Sequence, residues 1–121
     1  MIRHGVPLAP LTTLGLGGPA ADFVEVKDEV GLADALAWAD ERGRRTWILG
    51  GGSNVVIADD GLDGLVVRLS NRGLKVAEDG GRARLRIAAG EPWDEVVARA
   101  VSAGLSGIEC LSGIPGFAGA T

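Results

Sequence analysis

The apolar run Thr46-Trp47-Ile48-Leu49 leads straight into Gly50-Gly51-Gly52-Ser53-Asn54, after which Val55-Val56-Ile57 resumes β-branched character. Three successive residues without a β-carbon let the backbone take positive φ and turn several N–H groups toward one ligand oxygen. The pattern predicts a buried strand, a glycine bend and a second strand-like run. Ser53 and Asn54 add side-chain donors, and no lysine or arginine occurs between Thr46 and Val67, while Asp59, Asp60 and Asp63 follow closely. An anion held here must therefore be held by amide dipoles and not by local cations. The competing reading is a tight turn without a ligand, because glycine clusters are also ordinary turn material.

Two familiar nucleotide loops fail on these residues. A phosphate loop of the Walker type needs Gly-Lys followed by Ser or Thr, which is absent. A dinucleotide fingerprint needs a third glycine three residues after the second and then a helix, whereas Val55 and a strand-like run stand there. A second glycine-rich stretch, Leu111-Ser112-Gly113-Ile114-Pro115-Gly116-Phe117-Ala118-Gly119-Ala120-Thr121, again carries no basic side chain. Read alone it is an ordinary surface connection; read with the first loop, it grips an extended diphosphate from the other side. Each backbone donor to a charged oxygen contributes about 1.5–3 kcal/mol.

Glycine is the compositional outlier, 20 of 121 residues, without a collagen period. At 46% hydrophobic and 23% charged the chain has ordinary globular composition and room for one domain. A formal charge of -4 gives no footprint for nucleic acid or an anionic membrane. The single cysteine, Cys110, forms no internal disulfide and no metal-binding pair, which fits a reducing, cytoplasmic setting. No signal segment or membrane anchor is evident in the sequence.

Along the chain, three prolines and a glycine cluster predict little regular structure in the first twenty residues. Alternation over Asp22-Phe23-Val24-Glu25-Val26-Lys27 predicts a half-buried strand. Asp28 then caps a helix of about 13 residues with Leu32, Ala35, Leu36 and Ala39 on its apolar face, ending near Gly43. Arg42, Arg44 and Arg45 read as cations suited to the helix C-terminus. Further strands are expected over Leu65–Leu69, Leu74–Glu78 and Arg82–Ala88, the last with its arginines on a solvated face. Pro92, in the first turn, opens a second helix with Trp93, Val96, Val97, Ala100 and Val101 inward. Consecutive strands between two helices give an α+β class, not a regular βαβ alternation. Trp38, Trp47 and Trp93 are expected in the core, Cys110 as a small packing residue and His4 in solvent. Glu91 and Glu109 border turns, with nothing to pair them as an acid and a base.

The strings Thr13-Leu14-Gly15-Leu16-Gly17-Gly18-Pro19-Ala20, Leu49-Gly50-Gly51-Gly52-Ser53-Asn54, Asp60-Gly61-Leu62-Asp63-Gly64, Gly90-Glu91-Pro92-Trp93, Gly107-Ile108-Glu109 and Ser112-Gly113-Ile114-Pro115-Gly116 with Gly119-Ala120-Thr121 occur in an informative order and spacing. Together they resemble the UDP-N-acetylenolpyruvoylglucosamine reductases, or UDP-N-acetylmuramate dehydrogenases, of bacterial peptidoglycan synthesis. The resemblance implies an FAD-binding domain of the vanillyl-alcohol-oxidase (PCMH) type over residues 1–121, with non-covalent FAD, since the one histidine, His4, lies far from both loops. By matching positions it carries flavin contacts to Gly50, Gly51, Gly52, Ser53, Asn54 and Val55, and to Ile114, Pro115, Gly116, Gly119, Ala120 and Thr121. It further implies NADPH as hydride donor and a small-molecule UDP-sugar as substrate. Family members continue for another domain or two, which carry the arginine, serine and glutamate that act on the substrate. No catalytic residue is therefore assigned here, and the chain is expected to be inactive alone. The other readings are a non-catalytic nucleotide-binding module and a different flavin oxidase of the same fold. The sequence sets no oligomeric state.

Overall fold

The computed structural model describes residues 1–121. In chain order it contains β1 (Arg3–Pro7), β2 (Pro19–Val26), α1 (Glu29–Glu41), β3 (Thr46–Leu49), β4 (Leu62–Leu69), β5 (Leu74–Asp79), β6 (Arg82–Ile87) and α2 (Trp93–Ser102), with short 3-10 turns at Ala9–Leu11, Glu109–Leu111 and Ala118–Ala120. The architecture is α+β, as the sequence predicts. Strands β1-β2-β4-β3 form one sheet in that order; β1 runs antiparallel to β2, while β2, β4 and β3 are mutually parallel. One βαβ crossover is present after all, with α1 linking β2 to β3 and β4 inserted between them. β5 and β6 stand apart as an antiparallel hairpin.

Alternation in β2 and β4 sends successive side chains to opposite faces. On one face Phe23, Val66 and Leu49 pack with Leu8, Ala20 and Ile57. On the other, Val24, Val26, Leu65 and Val67 pack against Ala35 and Ala39 of α1. The Asp28 carboxylate accepts from the Gly31 amide at 2.7 Å, the cap the sequence predicts. α2 turns Trp93, Val96 and Val97 onto Leu74 and Ile87 of the hairpin.

Several expectations change. The first twenty residues are not irregular: β1 pairs with β2 through Arg3↔Phe23 and Val6↔Ala20, and Leu8 is fully buried. Long-range pairing supplies the structure that the local sequence hides. Val55–Ile57 belongs to no strand: only Ile57 is buried, against Gly17 of the lead-in, where Gly18 donates to the Ala58 carbonyl at 2.9 Å, while Val56 is exposed. β3 is an edge strand with only Leu49 buried, so Trp47 and Ile48 are exposed. Trp47 donates from Nε1 to the Asp63 carbonyl at 3.0 Å, with Arg45 over its ring. Trp38 is half-buried, with Arg42 over its ring. Leu36 and Val101 also face solvent, and Cys110 is exposed rather than packed. Pro92 stands one residue before α2 as its cap, not within the first turn. Arg44 is no free helix-end cation: it grips the buried Asp22 carboxylate.

Candidate functional site

The triglycine bend leaves β3 and meets two other segments. Against Gly52, where φ is +72°, a β-carbon would run into the Leu11 carbonyl, and the Thr13 amide donates to the Gly52 carbonyl at 2.9 Å. Against Gly51 lies the second loop: a β-carbon would stand 3.3 Å from the Phe117 ring and 3.4 Å from the Gly116 α-carbon. A β-carbon on Gly50 would meet the same ring at 3.9 Å and Ala120 at 4.0 Å. Ser53 Oγ donates to the Pro115 carbonyl at 3.4 Å. The two loops, more than sixty residues apart in sequence, are therefore in direct contact. Part of the glycine requirement is steric, imposed by the lead-in and by Phe117, a residue the motif reading passes over.

The backbone N–H groups of Gly50, Gly51, Gly52, Ser53, Asn54 and Val55 donate to no protein acceptor. Nor do those of Ile114, Gly116 and Phe117, while Pro115 has no N–H. In contrast, Gly119 donates to the Ala89 carbonyl, Ala120 to Phe117 and Thr121 to Ala118. Thr121 Oγ1 also donates to the Phe117 carbonyl at 3.1 Å. All twelve residues singled out from the sequence thus lie in these two adjoining loops, but their amides divide into a free set and a set that shapes the second loop.

The second loop is fastened to the start of α2. Asp94 accepts from the Gly113 amide at 2.9 Å and the Ser112 hydroxyl at 2.8 Å, and these two bonds, the amide first, hold its carboxyl below the usual carboxylate range. Trp93, buried, donates from Nε1 to the Leu111 carbonyl at 2.9 Å and from its backbone to Gly116 at 3.0 Å. Glu109 closes on the amides of its own turn, including that of Gly107, which lowers its pKa. His4 is exposed yet bonded through Nδ1 to Asp22 at 2.7 Å. A surface cleft of about 670 Å³ lies elsewhere, lined in part by Lys27, Arg72, Lys75 and Arg86.

A strand-led glycine bend with a run of free amides, no basic side chain and a second glycine loop against it suits a phosphate-bearing cofactor held by backbone. Residues 20–121 match the FAD binding domain family, and the chain belongs to it. It is similar to UDP-N-acetylenolpyruvoylglucosamine reductase of Saccharopolyspora erythraea, 57% identical over 97% of this chain and 32% of that protein. The Streptomyces coelicolor protein of the same name is 48% identical over 98% of this chain and 30% of its own length. Among solved structures, the UDP-N-acetylenolpyruvylglucosamine reductase of Thermus caldophilus superposes with a TM-score of 0.71 at 31% identity, covering 97% of this chain and 40% of that one. The chain thus spans about a third of the length of the curated relatives it matches. No helix is long and apolar enough to cross a membrane.

Proposed function

We propose that this chain is the FAD-binding portion of a UDP-N-acetylenolpyruvoylglucosamine reductase acting in peptidoglycan synthesis in the cytoplasm. The observation that carries the site is the six successive free amides of Gly50 to Val55, in a stretch without a cation, against a second loop with three more, those of Ile114, Gly116 and Phe117. Those donors fit the FAD pyrophosphate: charge-assisted bonds from backbone N–H groups are strong and need no side-chain ordering. Ser53 and Asn54 would add side-chain donors, and Ile114, Pro115 and Gly116 would close on the other side. Gly119, Ala120 and Thr121, with their amides engaged, would shape that wall and contribute surface. Bound non-covalently, FAD would supply two-electron hydride chemistry, with NADPH as donor and the enolpyruvyl UDP-sugar as acceptor.

Within the reaction this chain's residues bind and orient. The amides of the first loop would hold the phosphates, and the contact of the half-buried Phe117 ring with Gly50 and Gly51 would keep the loops in register. Substrate reduction would require the portion of the relatives that this chain does not span, so the chain alone binds flavin without turnover.

Titration of the purified chain with FAD, followed by flavin fluorescence, tests the reading. Saturable binding of FAD, with much weaker binding of riboflavin, which has no phosphate, supports it. Absence of binding, or equal affinity for riboflavin, would overturn it.

A further inference from the structure

Glu91 is 3% exposed and sits in the turn between β6 and α2, where no part of the proposed flavin chemistry requires a carboxylate. A carboxylate so buried needs partners. Its Oε1 accepts from the Gly73 amide at 2.6 Å, and Arg72 Nη2 stands 3.3 Å from Oε2, which makes no well-directed hydrogen bond. Arg72 also donates to Glu95 of α2 at 2.9 Å. The side chain therefore clamps the turn to the start of the β5–β6 hairpin.

The backbone of the same turn carries the second glycine loop. Ala118 donates to the Glu91 carbonyl at 2.8 Å and Trp93 donates to the Gly116 carbonyl at 3.0 Å, a one-rung antiparallel bridge that sets Pro92 opposite Phe117. Phe117 is the residue whose ring covers Gly51. A continuous path runs from Gly73 through Glu91 and the Pro92–Phe117 bridge to the triglycine bend.

We infer that Glu91 is a positioning residue, fixing the turn on which Gly116-Phe117-Ala118 is registered and so setting the second loop against the first. The flavin consequence rests on the function proposed above; the loop geometry does not. Replacing Glu91 by Asp withdraws the carboxylate by one methylene from Gly73, whereas Gln keeps an acceptor within reach.

The test is amide hydrogen exchange on the full chain, with FAD affinity measured in parallel. In Glu91→Asp and Glu91→Ala, exchange of the Ala118 and Trp93 amides is expected to accelerate at least tenfold while α1 amides keep their protection, and FAD affinity is expected to fall about tenfold. Glu91→Gln should restore both to within about threefold. Unchanged Ala118 and Trp93 protection in Glu91→Asp would overturn the inference, as would a uniform loss of protection across the chain. If Glu91→Ala does not fold, the Asp and Gln variants decide. Failure of the unsubstituted chain to bind FAD would remove the proposed function but leave the exchange result to decide the role of Glu91.

Discussion

Gly51 lies against the Phe117 ring, where a β-carbon would stand 3.3 Å from one ring carbon and 3.4 Å from the next. A β-carbon at Gly51 would require the Phe117 ring to give by a few tenths of an ångström. Gly51→Ala is therefore expected to cost about 1 kcal/mol in chemical denaturation, the low end of overpacking, and to weaken FAD binding. Gly52→Ala differs, because its φ of +72° suits only glycine and the obstructing atom is the Leu11 backbone carbonyl. The expected loss is about 3 kcal/mol or more. Equal costs at the two positions would contradict this division.

Asp22 and Arg44 give the acid response. Burial of the Asp22 carboxyl opposes its ionisation, but hydrogen bonds from Arg44 at 2.7 and 2.9 Å and from His4 lower its pKa below the ordinary 3.8. A carboxyl lowered on folding contributes stability that is fully present above its unfolded value and is lost as pH falls through its native one. Acid unfolding below about pH 3.8 should therefore be less steep in Asp22→Asn than in the unsubstituted chain. Arg44→Ala should lower the melting temperature at neutral pH; Arg82→Ala, exposed and without an ion pair, serves as the control that should not.

Two leucines that the sequence alone marks as apolar, one in β4 and one in α1, separate in the structure. Leu65 is fully buried between the sheet and α1, and Leu65→Ala should cost about 2–5 kcal/mol. Leu36, which the repeat places on the apolar face, is 42% exposed. Leu36→Ala should stay within about 0.5 kcal/mol. Urea unfolding of both variants provides the comparison.

Cys110 is exposed in the 3-10 turn Glu109–Leu111. A thiol reagent should label it in the native protein without unfolding, and Cys110→Ser should change stability by less than about 0.5 kcal/mol. Labelling that occurs only in denaturant would contradict its position.

Local signals were legible where local chemistry decides structure. Asp28 as cap and the apolar stripe Val96, Val97 and Ala100 appear as read, whereas the strand expected to be half-buried over Asp22 to Lys27 is covered on both faces, with Asp22, Phe23, Val24 and Val26 all buried, because it lies inside the sheet between β1 and β4. β1 escaped because Pro7 and the glycines argue against regular structure, and only the partnership with β2 holds it extended. Trp47 escaped because an apolar run does not reveal whether its strand is central or at an edge. The two glycine loops were visible as motifs, and their contact is now seen to run through Phe117. What the motifs could not convey was that Gly52 answers to Leu11, or that the turn at Glu91 fastens the second loop. Those dependencies exist only once distant segments meet.

Backbone amide chemical shifts during an FAD titration address the central claim most directly. The amides of Gly50 to Val55 and of Gly116 are expected to shift in one saturable process, reproduced by ADP and absent with riboflavin. Saturation by FAD that leaves those resonances still, with shifts gathered instead around Lys27 and Arg86, would contradict it.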